Sequence, residues 1–297
     1  MKGILGLAVS GIFFLGAGGA FAQTPPGPGA CFDGATNPGP GLQGCDDANK
    51  CATDTPTCAA DDTGCVPSNA DNEKCAAAVI KGFTNAIKCV IKCHCKQAGA
   101  LFNNKIFNEE ACEGHDPVKG KACKDKLDAA FSKIFSTTLC TSAQITFAQA
   151  EESTLFADKS NTLSLDAQNG ATFCDSTSGA MIMTSDSDDA GFVPANKDTL
   201  KCECTVGKNQ GSLVAAALKC HIKLAHAFFK GQAFDEESCE ETNPSQKGAF
   251  DKYQAAATKL SGKGICPPCL SLANQLALGA GDIGQVDAAN FVAYPCP

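Results

Sequence analysis

The chain contains no arginine and no tryptophan, and tyrosine occurs only twice. All 24 basic residues are therefore lysines, spread among 32 acids for a net charge of −8. Recognition of a phosphate backbone relies on clustered cations and on the bidentate fork of arginine. Nucleic acid is excluded as an expected partner, and the lysines form no patch suited to an anionic membrane surface. Few large aromatics argue against a broad stacking interface. Phenylalanine, with 18 copies, is left as the main bulky core residue. After residue 22 no apolar run approaches the roughly 18–20 residues that a membrane span requires.

The opening segment does carry such character, but in a short form. Lys2 precedes an apolar stretch from Ile4 to Phe14, and Ala20-Phe21-Ala22 then forms an A-x-A site before Gln23. This is the pattern of a cleaved signal peptide over residues 1–22. The expected mature chain is exported, secreted or periplasmic, and soluble, without an integral membrane segment.

What is abundant is cysteine: 20 residues, all beyond the signal segment. An even, high count in an exported chain reads as a disulfide framework. Residues 23–60 begin Pro/Gly-rich and become Cys-dense, with Cys31, Cys45, Cys51 and Cys58, followed by Cys65. The Pro-Pro-Gly-Pro-Gly start fits neither a helix nor a central strand.

The remainder is written twice. Residues 61–113 laid on 188–240 give 23 identities in 53 positions without a gap. Lys92-Cys93-His94 recurs as Lys219-Cys220-His221, and Glu109-Glu110-x-Cys112-Glu113 as Glu236-Glu237-x-Cys239-Glu240, each 127 residues on. Later the offset slips to 126, where Cys140 meets Cys266, and to 122, where Cys174 meets Cys296. The expected organisation is a first helical repeat over 61–187 and a second over 188–297.

Apolar residues in each repeat step by three and four, the helical period. In the first repeat the stripe runs Cys75, Val79, Phe83, Ile87, Val90, His94 and Ala98. In the second it runs Val206, Leu213, Ala217, Cys220, Leu224 and Phe228, with Gly207 and Gly211 weakening its first half. Asp116-Pro117 and Asn243-Pro244 have the form of an N-cap followed by proline at N1. Helices are therefore expected near 70–102 with 117–136 and near 197–230 with 244–261. Shorter ones should follow near 143–156 and 267–278, and only 171–183 could hold a short strand. The fold class expected is all-α, a tandem duplication of a disulfide-stapled antiparallel hairpin behind an irregular Cys-rich segment.

In an antiparallel hairpin the end of the first helix meets the start of the second. This pairs Cys93 with Cys112, Cys75 with Cys140, Cys220 with Cys239 and Cys202 with Cys266. Cys89 and Cys123 lie one turn inside the first staple and could form a rung. Cys204, Cys269, Cys174 and Cys296 must close the third segments or link the repeats. The partners of Cys95 and of the N-terminal cysteines stay open.

Several strings invite a chemical reading. Cys89-Val-Ile-Lys-Cys93-His94 is a C-x3-C-H string, a rarer spacing for covalent haem attachment. Repeat two has Ala216 in place of Cys89, so scaffolding is favoured and a haem or metal carrier is kept as the alternative. Cys266-Pro-Pro-Cys269 has thiol–disulfide exchange spacing, a third reading that lacks a βαβ setting. The four histidines show no ligand spacing, and His94 and His221 are expected as residues at the edge of a core. Asp61-Asp62 and the 185–189 acidic run lack the EF-hand order and are expected as solvated linkers. Glu109-Glu110 and Glu236-Glu237 are accounted for by the helix dipole. No metal, cofactor or catalytic residue is expected.

The Lys-Cys-His and Phe-x-Glu-Glu-x-Cys-Glu strings resemble those of uncharacterised, secreted, Cys-rich helical-repeat proteins of bacteria, over about residues 61–297. The resemblance implies architecture and export, with no activity attached. The expected role is a non-catalytic scaffold with a structural or binding role and a possible protein partner in the envelope or extracellular space.

Overall fold

The computed structural model describes residues 64, 67, 69–183 and 187–295. The expected signal segment 1–22, the Cys-rich segment with Cys31, Cys45, Cys51 and Cys58, and also Cys65 and Cys296, lie outside the described residues.

The described chain is helical. In order come α1 (Ala70–Phe102), α2 (Glu110–Glu113), α3 (Cys123–Phe135), α4 (Ser142–Leu155), α5 (Leu165–Thr172), α6 (Lys197–Phe229), α7 (Glu237–Glu240), α8 (Ala249–Ser261) and α9 (Leu272–Ala289). The possible strand at 171–183 is absent. That stretch holds the end of α5 and one 3₁₀ turn, and Met181 forms a single antiparallel bridge with Phe192. One bridge cannot propagate without a longer partner strand.

The two long helices start by the same device. Asn69 Oδ1 accepts hydrogen bonds from the backbone N–H groups of Asp71 and Asn72, and Asn196 Oδ1 does so from Asp198 and Thr199. Each cap satisfies donors that the first turn leaves without partners. α1 and α6 then run for 33 residues each.

The Asp116 and Asn243 signals start turns rather than helices. Asp116 Oδ1 accepts from the backbone N–H of Val118 and Lys119, and Asn243 Oδ1 from Ser245 and Lys247. A left-handed residue, Gly120 in one turn and Gln246 in the other, ends each turn. Helices α3 and α8 therefore begin six and five residues later than the proline signal suggests. The last helix also differs from expectation: 268–270 is a 3₁₀ turn and α9 continues to Ala289.

Among the described residues, 14 cysteines form seven disulfides. The four expected staples are present: Cys75–Cys140, Cys93–Cys112, Cys202–Cys266 and Cys220–Cys239. Cys89–Cys123 forms the rung. The other two, Cys95–Cys204 and Cys174–Cys269, join the first half of the chain to the second. So many disulfides set this fold in an oxidising, extracytoplasmic environment.

Helix α1 packs along α3 and against α6, which in turn packs on α8 and α9. The main hydrophobic cluster draws on both halves, from Val79, Phe83, Ile87 and Phe131 to Val206, Val214 and Leu224. Phe83 meets Phe131 edge-on at 5.2 Å, a geometry favoured by the ring quadrupole. Phe228 departs from the expected stripe and is 39% exposed. Gly211 does more than weaken its helix. A Cβ there would stand 2.8 Å from Ile91 Cδ1 of α1, so its absence lets the two long helices approach closely. Helix α6 is long and apolar enough to cross a membrane, but here it is the central core helix, covered by α1, α8 and α9.

Candidate metal centre

The disulfides settle the fate of the thiols first. Cys89 pairs with Cys123 and Cys93 with Cys112, so neither sulfur of the Cys89/Cys93/His94 string is free for a thioether bond to haem. Cys266 and Cys269 pair with Cys202 and Cys174 rather than with each other. The C-x-x-C spacing therefore makes no exchangeable dithiol pair.

What the staples do position is acid and imidazole. Cys93 immediately precedes His94, and Cys112 immediately precedes Glu113. Closing that bond brings the end of α1 onto the short α2 and sets His94 Nε2 3.2 Å from Glu113 Oε2. Glu109, one turn earlier, lies 4.0 Å from the same nitrogen. Asp166 of α5 approaches to 3.6 Å and Asp189 to 2.9 Å. All five residues are 4% exposed or less.

The second half repeats the arrangement. His221 Nε2 lies 3.4 Å from Glu236 Oε1, 3.2 Å from Glu240 Oε2 and 3.5 Å from Asp287 Oδ1. Cys220 and Cys239 stand beside His221 and Glu240 as in the first half. These four residues are buried as well.

Asp189 is placed by a clamp. Its backbone N–H donates to Ser187 Oγ, whose hydroxyl donates to Asp189 Oδ2. Ala190 N–H donates to the Asp166 carbonyl, Asn169 Nδ2 donates to the Ala190 carbonyl, and Phe192 N–H donates to the Phe173 carbonyl. Gly191 sits at φ +116°, and a Cβ there would stand 2.9 Å from the Phe173 carbonyl oxygen. Only glycine fits both the backbone conformation and the close approach. Gly64, also at φ +116°, makes the equivalent approach to the Tyr294 carbonyl oxygen.

The electrostatics of the first centre are those of too many acids in too little water. Burial and the neighbouring Glu113 push Glu109 up to about 10, against the pull of His94. Burial raises Glu113 to about 8, opposed by the nearby His94 imidazole. Burial opposes a charge on His94, yet Asp189, Asp166 and Glu113 outweigh it and hold the imidazole well above its ordinary range. In the second centre burial likewise raises Glu240, opposed by His221.

Protons alone serve this geometry poorly. Nε2 carries at most one hydrogen and can satisfy one oxygen well, yet four carboxylate oxygens surround it. His94 Nε2, Glu109 Oε1, Glu113 Oε2, Asp166 Oδ1 and Asp189 Oδ1 are all buried without a hydrogen-bond partner. Buried polar atoms are rarely left so. The donor atoms of His94, Glu113 and Asp166 lie within 4.8 Å of one another, as do those of His94, Glu109 and Asp189 and of His221, Glu236 and Glu240. Ligands about 2.1 Å from a common ion stand roughly 3–4 Å apart, so the donor set fits a divalent cation.

The expectation that His94 and His221 merely edge a core is thus corrected. The solvated linker is corrected at Ser187 and Asp189, which are buried, while Asp61, Asp62 and residues 185–186 lie outside the described residues. Glu109 and Glu236 do stand at the N-caps of α2 and α7, as expected, but they are also buried beside the histidines. Asp166 and Asp287 escaped sequence reasoning altogether. Their signal was a small repeat, Asp166-Ala167-x-Asn169 and Asp287-Ala288-x-Asn290, in the region where the offset has slipped to 121.

No family model matches this chain, and neither a curated protein nor a solved structure shows significant similarity to it.

Proposed function

We propose that the protein is an exported, non-catalytic scaffold, a tandem duplication of a stapled helical hairpin, that binds divalent first-row transition metal ions. Each repeat carries one centre. His94, Glu109, Glu113, Asp166 and Asp189 serve the first, and His221, Glu236, Glu240 and Asp287 the second. The observation that carries this reading is the convergence of four buried carboxylate oxygens on His94 Nε2 within 4.0 Å.

One imidazole among carboxylates suits Mn²⁺, Fe²⁺ or Zn²⁺ better than Cu⁺, which selects sulfur, or Ca²⁺, which takes oxygen alone. Cysteine sulfur is unavailable to either centre because the neighbouring thiols are oxidised. The metal-carrier reading of the Cys89/Cys93/His94 string thus survives only in His94, with carboxylates replacing the thiols. Matched lengths of α1 and α6, matched caps and matched staples support the duplication. The seven disulfides support a role in the envelope or extracellular space.

Elemental analysis of protein purified from its native host, without added metal or chelator, tests the reading. About two or more equivalents of one first-row metal per chain are expected. Metal-free protein that also fails to take up Mn²⁺, Fe²⁺ and Zn²⁺ in equilibrium dialysis would overturn it.

A further inference from the structure

Lysine and acid are mixed along the chain as a whole, but not on the two long helices. Residues 74–108 hold six lysines and no acid, and residues 204–234 hold four lysines and no acid. Where α1 packs on α6, four of these lysines line one cleft of about 500 Å³. Lys88, Lys92 and Lys96 come from α1 and Lys208 from α6, and no acid joins them in the wall. All four lysines are exposed, above a less exposed floor that includes Ile91 and Cys95.

Helix geometry and one glycine build the cleft. Lys88, Lys92 and Lys96 are four residues apart, so they form one row along a helix face, about 6 Å per step. Lys208 and Gly211 are three apart and share a face of α6. A Cβ on Gly211 would stand 2.8 Å from Ile91 Cδ1 and 3.6 Å from Lys88 Cγ. Its absence lets α6 come close enough to set Lys208 in the same cleft as the row. Among the described residues, none of the four ammonium groups has a carboxylate within ion-pair distance, whereas Lys74 and Lys124 do. Lys96 lies instead 6.0 Å from the centroid of the Phe107 ring. Cations of one sign around an apolar floor focus a positive potential in the cleft, in a chain whose net charge is −8.

We propose that this cleft binds a compact polyanion, a small molecule carrying several phosphate or sulfate groups. The row on α1 spans about 12 Å, so a simple monoanion meets at most one or two of its ammonium groups. A ligand with several charged groups on a body of that order meets the row and Lys208 together. The cleft volume falls within the roughly 300–1,000 Å³ of small-molecule sites. Lysine is a point charge that suits tetrahedral oxyanions, whereas planar carboxylates are matched better by the fork of arginine, which this chain lacks. The cleft is independent of the metal centres, whose histidines and carboxylates are buried.

Calorimetric titration with inositol hexasulfate tests the proposal, because sulfate groups compete little for transition metals. Three proteins are compared: wild type, Lys88→Gln with Lys208→Gln, and Lys126→Gln with Lys133→Gln. The last removes the same charge from exposed positions of α3 outside the cleft. Wild type should bind one equivalent per chain, more weakly as salt rises. The cleft variant should bind about tenfold more weakly, and the α3 variant like wild type. Inositol hexakisphosphate, titrated alongside, separates the two sources of charge. Tighter binding than the hexasulfate assigns phosphate esters, and the reverse assigns sulfate. Failure of wild type to bind either compound, or equal weakening in both variants, would overturn the cleft. Binding of wild type to phosphatidylglycerol vesicles but to neither inositol compound would overturn it too, and would assign the lysines to a membrane surface.

Discussion

Asp189 stands 2.9 Å from His94 although the two residues lie in opposite halves of the chain. The first centre is completed by the segment around Asp189, held against α5 by the Asp166 and Phe173 carbonyls and by Asn169. The centre thus ties the halves together in addition to the Cys95–Cys204 and Cys174–Cys269 bonds. Occupancy and stability should be linked, and the predictions begin there.

Removing bound metal should lower thermal stability without dissolving the fold. An ion at 100 times its Kd stabilises by about 2.7 kcal/mol, which for a chain of this size is a shift of roughly 5–10 °C. Calorimetry with and without a chelator measures the difference. The helical circular dichroism at 25 °C should be unchanged, because the disulfides remain.

His94→Ala and His221→Ala should each abolish one centre and leave the other loaded. The double variant should retain helicity while losing metal from both centres, counted by elemental analysis after dialysis. Full retention of metal in the double variant would show that the imidazoles are not ligands.

The staples should separate by function. Cys75→Ser with Cys140→Ser and Cys93→Ser with Cys112→Ser should each destabilise by roughly 2–5 kcal/mol in a denaturant titration. Only the second pair flanks His94 and Glu113. It alone should also weaken metal binding, by about 10–100-fold, as removing a ligand's support does elsewhere.

Gly191→Ala should act at a distance. The new Cβ would meet the Phe173 carbonyl at 2.9 Å in a backbone conformation that disfavours side chains. A cost of about 1–3 kcal/mol is expected, with weaker metal binding because Asp189 is two residues away. Isothermal titration and thermal melting report the two effects.

Glu151 offers a pH test outside the centres. It is buried, its Oε1 has no hydrogen-bond partner, and burial raises it to about 7. The native state therefore binds more protons than the unfolded chain between about pH 4.5 and 7. The sign of the linkage follows: the contribution is most favourable below pH 4.5 and is lost as pH rises through 7, by roughly 3 kcal/mol. Glu151→Gln should flatten that dependence and gain stability relative to wild type mainly at pH 8, read from denaturation midpoints at pH 5 and pH 8.

Periodicity and cysteine spacing determined the helices 70–102 and 197–229 and the four staples from sequence alone. These are local or nearly local: apolar residues at helical spacing mark one face of one helix, and a hairpin pairs the cysteines at its ends. The starts of α3 and α8 were not legible, because Asp116 and Asn243 favour a turn as readily as a helix. Only the left-handed residues after them decide between the two. The candidate metal centre was decided by tertiary structure. Glu109, Asp166 and Asp189 look like solvated acids in sequence, since an isolated carboxylate belongs in water. Burial makes them candidate ligands, and burial depends on α5 and the 187–193 segment folding over the end of α1, which no window of sequence contains.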